Sequence, residues 1–213
     1  MEQAIAPELR IVEWQNEWIV KSAFSFEYQA PDEVLATLRD RYRLDEVIAP
    51  GQTEFEQMLL LREWVHTRFK HGWNRKTPAK NALEILAAAE QGSDFTCGYY
   101  ALVLMQCLLS LGFVARRVAI SKANTEWMAA DEGNIGHSIM EVWSHQYHKW
   151  VMLDADLNVH YERDGVPFSA LEIHQAWVTG AWDSVRQIQG PTGFRMTDQA
   201  RSGYGVDRHV DDH

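Results

Sequence analysis

The spacing of apolar and polar residues changes several times along the chain, and each change marks a predicted element. From Arg10 to Tyr28 the alternation is short (Ile11, Glu13, Trp14, Trp18, Val20, then Phe24, Phe26, Tyr28), which predicts one or two strands. Ala30-Pro31-Asp32 interrupts it, Glu33 to Arg43 takes helical spacing, and Gly51 resets the chain. Thr53 followed by Glu56 is a capping box, since each side chain can satisfy an orphan amide of a first helical turn. Phe55, Met58, Leu59, Leu61, Trp64 and Val65 then form the apolar face of a helix that Gly72 stops. Asn81 to Glu90 predicts a shorter helix ending at Gly92.

The run from Tyr99 through Leu104, Met105, Leu108, Leu109 and Leu111 is apolar almost all round, the pattern of a helix buried on most faces. Ser93 or Asp94 can cap its start and Gly112 ends it, so Cys97 falls in its first turn. Strands follow at Phe113–Ile120, Ser138–Trp143 and Lys149–Ala155, with a polar loop, Ser121 to Gly136, between the first two. Ser169 and Glu172 form a second capping box, opening a helix that carries His174 on its exposed or structural side. This organisation predicts one globular domain in three stretches. Residues 1–50 pack N-terminal strands and a helix on the core, 51–185 form the core itself, and 186–213 are a polar, mobile tail.

Composition narrows the classes. The 213 residues are 46% hydrophobic and 23% charged, as in a soluble globular protein. A formal charge of −10 argues against nucleic acid and anionic membranes as partners, because both need clustered Lys and Arg. No stretch reaches the ~18 apolar residues of a membrane span, and the first residues lack the basic start and apolar run of a signal peptide. Cys97 and Cys107 are the two cysteines; ten residues along one helix is about 15 Å of axis, beyond disulfide reach. Free thiols lead us to expect a cytoplasmic protein.

The candidate chemistry begins at Cys97. Unpaired N–H groups and the dipole of a first helical turn favour the thiolate, whereas Cys107, among Met105, Leu108 and Leu109, reads as core. A base and its orienting acid come from the hairpin. If Ser144–Tyr147 is its loop, Trp143 faces His148, Glu141 faces Trp150, and His137 faces Asp154. Opposed side chains stand ~5 Å apart on one face, so Asp154 can fix the tautomer of His137 while His137 takes the thiol proton. Asp156 shares that face and is the rival orienter.

Phe95-Thr96-Cys97-Gly98-Tyr99-Tyr100-Ala101 followed by Leu111-Gly112-Phe113-Val114-Ala115-Arg116-Arg117-Val118 resembles the cysteine-helix-strand block of the transglutaminase-like superfamily. Gly136-His137-Ser138 to Trp143, then Lys149-Trp150-Val151-Met152-Leu153-Asp154, resembles its histidine strand and its Trp-x-x-x-Asp strand. The likeness covers roughly residues 55 to 175. It implies an α+β, papain-like core with the cysteine helix packed on an antiparallel sheet. It also implies Cys97 as nucleophile, His137 as general base and later acid, and Asp154 as orienter. The reaction implied is attack on an amide, ester or thioester to give an acyl-thioester, which water or an amine resolves. The substrates expected are peptides, amides or acyl-carrier-type donors, and neither a cofactor nor a metal is expected.

An oxyanion hole is also required. The Cys97 N–H is one candidate donor, and Trp73, Gln91 and Trp64 are candidates for the other. Trp127, Trp143, Trp150 and Trp177 are candidate groove walls. With two cysteines, the chain lacks the paired Cys-x-x-Cys zinc motifs of the N-glycanase branch, and nothing in it selects a subfamily. Two other classes stay open at this level: a non-catalytic papain-like binding module, and a metal enzyme using His145, His148 and His160.

Overall fold

A computed structural model of the chain describes residues 32–73, 79–121 and 136–190. The strands expected within Arg10–Tyr28, Trp127 with most of its loop, and the tail from 191 onward lie outside these residues.

Five helices come first: α1 (Glu33–Arg41), α2 (Leu44–Ile48), α3 (Glu54–His66), α4 (Ala82–Glu90) and α5 (Cys97–Ser110). Strands β1 (Ala115–Ser121), β2 (Gly136–Ser144) and β3 (Lys149–Leu153) form one antiparallel sheet in that order. A second small sheet has the order β5-β4-β6, from β4 (Val159–Arg163), β5 (Val166–Pro167) and β6 (Arg186–Gln189). Helix α6 (Ala170–Val178) lies between β5 and β6 in the chain.

Local chemistry explains most boundaries. Both capping boxes form as the sequence predicts, Thr53 with Glu56 at α3 and Ser169 with Glu172 at α6. Asp32 caps α1 and Asn81 caps α4, each accepting an amide of the first turn. The helix predicted over Glu33–Arg43 forms as α1, and Arg43 at φ 51°, outside the helical region, separates it from α2, which the sequence reading did not include.

Helix α5 is the centre of the fold. Val103, Leu104, Cys107 and Leu108 are fully buried, and α5 packs on α1, α3 and α4 on one side and on β1 and β2 on the other. Each such leucine contributes roughly 1.5–3 kcal/mol by leaving water. Met140, Val142, Val151 and Leu153 supply the sheet's share of this core. The alternating residues Glu141 and Met152 are buried on the sheet's other face, where Glu141 accepts from the backbone N–H of Ala170 at 2.8 Å. A sheet covered on both faces explains why β2 is buried along consecutive positions instead of alternating.

The β2–β3 hairpin differs from expectation in its register. The turn is His145–His148, one residue later than the expected Ser144–Tyr147, closed by His148 at φ 54°. Ser144 stays in the ladder opposite Lys149, its side chain buried and donating to Glu54 Oε2 at 2.9 Å. Trp143 therefore faces Trp150 and Glu141 faces Met152. The slip is two residues, an even number, so every side chain keeps its predicted face. His137 and Asp154 become diagonal neighbours on that face.

Candidate active site

Cys97 is the first residue of α5, and Thr96 precedes it as an N-cap whose side chain makes no capping bond. That departs from the expected caps Ser93 and Asp94. Phe95 is held extended instead: its N–H donates to Lys70 O and its carbonyl accepts from Gly72 N–H, both at 3.1 Å. This bridge straps the approach to Cys97 onto the segment that carries His71. The backbones come close enough that a Cβ on Gly72 would stand 2.2 Å from the Asp94 side chain. Phe69, Phe95 and Tyr100 pack ring on ring beneath, and the Tyr100 hydroxyl donates to Phe69 O at 2.6 Å. The start of α5 is thus rigidly mounted. Its first two N–H groups, those of Cys97 and Gly98, precede the first bond of the helix start, Tyr99 N–H to Thr96 O at 2.9 Å.

His137 stands near the start of β2 with Nε2 donating to Asp154 Oδ2 at 2.6 Å. Nδ1 is then the ring nitrogen that can exchange a proton with the thiol. Burial pushes the Cys97 thiol up, but the neighbouring His137 ring and the backbone N–H of Ser138 together bring it below the ordinary thiol value. Burial pushes His137 down, but Asp154 and Cys97 outweigh it and raise the imidazole to about 10. Each shift favours the charged form of its own group, the thiolate of Cys97 and the imidazolium of His137.

Asp154 is fixed from behind. Its backbone N–H and carbonyl both bond to Val159 at 3.0 Å, and Oδ1 accepts from Leu157 N–H at 3.0 Å. Residues 155–158 are consequently a tight turn, with Asn158 at φ 56°, and not the continuing strand the sequence suggested. Helix α3 anchors this turn through His66 Nδ1 donating to Ala155 O and Arg62 Nε donating to Asn158 Oδ1, each at 3.0 Å. Arg62 is 1% exposed, and burial lowers it to about 10 against the favourable charge of Asp154. Its Nη1 donates to His160 Nδ1 at 2.8 Å; burial, with the Arg62 charge, drives His160 down to about 3 and keeps it neutral.

Asp156 does not orient His137. The turn swings it to His71, whose Nδ1 lies 2.8 and 2.9 Å from its two oxygens. Even so, a carboxylate oxygen of Asp156, the Cys97 sulfur and a ring nitrogen of His137 lie within 4.8 Å of one another. The His71–Asp156 pair and the Ser138 N–H were not read from the sequence. Cys107, by contrast, is fully buried, and its thiol is pushed up by burial alone.

The remaining predicted residues sit elsewhere. Trp143 and Trp150 pack edge-to-face at 5.8 Å, with Arg116 4.1 Å over Trp150. They lie six residues along β2 from His137, about 20 Å of strand. Trp177 is 66% exposed on α6 against Trp182. Trp64 packs on Tyr42 and carries Arg68 over its ring. Gln91 is the exposed C-cap of α4, and Trp73 is 56% exposed just beyond His71 and Gly72. His145 pairs with Glu54 at 2.8 Å and His148 closes the hairpin turn, so neither joins His160 in a common site. Among the described residues no helix is long and apolar enough to cross a membrane.

A thiol at the bare start of a buried helix, facing a histidine and its aspartate on an antiparallel sheet, defines a transglutaminase-like α+β fold. Residues 41–155 match the Transglut_core family, described as Transglutaminase-like superfamily, and the chain belongs to that superfamily, whose members are typically cysteine enzymes. No curated protein matches the chain.

Solved structures similar to the chain include the following three. A Cytophaga hutchinsonii protein described as a cysteine protease has a TM-score of 0.45 at 11% identity, over 60% of this chain and 40% of that one. The periplasmic domain of TgpA from Pseudomonas aeruginosa, bound to ethylmercury, gives 0.42 at 21%, over 60% and 46%. A TGase gives 0.41 at 14%, over 64% and 34%. The alignment thus spans less than half the length of each neighbour.

Proposed function

We propose that the protein is a cysteine-dependent acyl-transfer enzyme that works through an acyl-thioester on Cys97. The observation that carries this reading is the Cys97–His137–Asp154 arrangement, in which the thiol is lowered and the imidazole raised against the pull of burial. The thiolate attacks the carbonyl carbon of an amide, ester or thioester in a peptide or acyl-carrier-type donor. The imidazolium gives its Nδ1 proton to the leaving nitrogen, oxygen or sulfur, and the acyl group stays on Cys97. His137, now neutral, takes a proton from water or an amine as that nucleophile attacks the thioester, and returns it to the departing sulfur. Asp154 holds the ring through Nε2 and stabilises the imidazolium.

The oxyanion sits best at the uncapped start of α5, where the Cys97 N–H is one donor. Trp73, two residues beyond His71, is the side-chain candidate we retain. Removing one such donor costs about 100-fold or more in rate.

The test is intact-mass analysis after exposure to a mixed pool of amide, ester and thioester donors. The expected result is a single acyl adduct that maps to Cys97 and is absent from Cys97→Ala. Release of the adduct by water, or its transfer to an added amine, then separates hydrolysis from transfer. No adduct from any donor, or an adduct that persists in Cys97→Ala, overturns the reading.

A further inference from the structure

Asp156 is a buried carboxylate that the proposed acyl transfer does not use. Its side chain is 2% exposed, and it stands close enough to the Cys97 sulfur to oppose the thiolate. A nucleophile gains nothing from that neighbour, whereas a cation would. We propose that Cys97, His137 and Asp156 form a binding site for a borderline-soft divalent transition-metal ion, Zn²⁺ foremost, whose binding caps the thiol and reversibly blocks the enzyme. As a regulatory device this rests on the acyl-transfer reading; as a metal site it stands on the geometry alone.

The donor set is one thiolate, one imidazole and one carboxylate, which suits zinc and not magnesium or calcium. The three donor atoms are already within 4.8 Å of one another. Around a tetrahedral zinc, ligand atoms stand about 3.5 Å apart given the usual bond lengths, so side-chain movements of about 1 Å close the site. Both polar ligands also carry the outer support that metal ligands require. Asp154 accepts from His137 Nε2, which leaves Nδ1 to face the metal, and His71 Nδ1 donates to Asp156. The fourth position stays open to water or a small ligand.

The charges and protons balance. The thiolate and Asp156 neutralise the 2+ charge, and His137 releases its Nδ1 proton to solvent as the nitrogen lone pair turns to the metal. Sulfur bound to zinc cannot attack a carbonyl, so metal binding and catalysis exclude each other.

The experiment is calorimetric titration of the full chain with ZnCl₂ in a non-chelating reductant, alongside iodoacetamide labelling of Cys97 in the same samples. We expect one tight Zn²⁺ per chain that protects Cys97 from labelling, while MgCl₂ gives neither binding nor protection. Asp156→Asn and Asp156→Ala should each weaken Zn²⁺ by about 100-fold or more, and His71→Ala by roughly 10–100-fold, as for other outer supports. Cys107→Ala and His145→Ala should bind as the parent does.

Co²⁺ bound to the unaltered chain provides a readout independent of variant folding, a thiolate-to-metal charge-transfer band. Unchanged Zn²⁺ affinity in both Asp156 variants, or bound Co²⁺ without that band, overturns the site. Zn²⁺ binding to a chain whose metal-free Cys97 labels no faster than an ordinary thiol supports the site and sinks the acyl-transfer reading. Fast labelling with neither binding nor protection does the reverse.

Discussion

At one end of α5 the Cys97 thiol meets a histidine ring, a strand N–H and the uncapped start of the helix. Ten residues on, Cys107 is packed among apolar side chains of α5 and its neighbours, and burial is what shifts its thiol. Both are buried, free cysteines of one helix. The difference shows that burial alone does not decide whether a thiol is inert. Desolvation raises both thiols, and only Cys97 has partners that reward the charged form. Helices α1, α3, α4 and α6 close their first turns with side-chain caps, whereas α5 leaves its first turn open where the thiol stands.

The largest effects come from erasing that contrast. Cys97→Ala and His137→Ala should each abolish covalent turnover, while Cys107→Ala keeps it within about twofold because it only trims the core, at a cost in stability of about 1 kcal/mol. Steady-state assays with the trapped donor and thermal melts read the two outcomes separately. Asp154→Asn should lower turnover by about 100-fold or more without unfolding the chain, since the amide can hold His137 in the wrong tautomer.

A smaller effect sharpens the parallel contrast between the two histidines, His137 beside an aspartate and His160 beside an arginine. His160 is held near 3 when folded but returns to about 6.5 when unfolded. Between those values the unfolded chain binds a proton that the folded chain does not, so this group's contribution to stability falls as pH drops from about 6.5 toward 3. At pH 4 the loss is on the order of 3 kcal/mol. His160→Gln should flatten the fall of melting temperature between pH 7 and pH 4. An unchanged slope would remove His160 from the account.

The three central residues were legible because each carries a local signal. Cys97 precedes an all-round apolar helix, and the hairpin's period-two pattern puts His137 and Asp154 on one face. That assignment survived a wrong loop because the slip was even. The capping boxes located α3 and α6 for a similar reason, being complete within four residues. What escaped depends on tertiary contacts. His71 and Asp156 are 85 residues apart and meet only because Phe95 is strapped to the Lys70–Gly72 segment. Arg43 and Asn158 take left-handed backbone conformations that no glycine advertises, which hid the restart of the chain as α2 and the turn after Asp154. The second sheet is built from strands of two to five residues, too short for periodicity to declare.

The central claim is that Cys97 is a thiolate held by His137. The most direct measurement is the rate of iodoacetamide labelling at Cys97 against pH, in a metal-free Cys107→Ala chain, with and without His137→Ala. The account predicts thiolate-like reactivity persisting well below the ~8.5 of a free thiol, and its loss to ordinary thiol behaviour in His137→Ala. A Cys97 that labels only as pH rises through the free-thiol value, with the same profile in both chains, would contradict it.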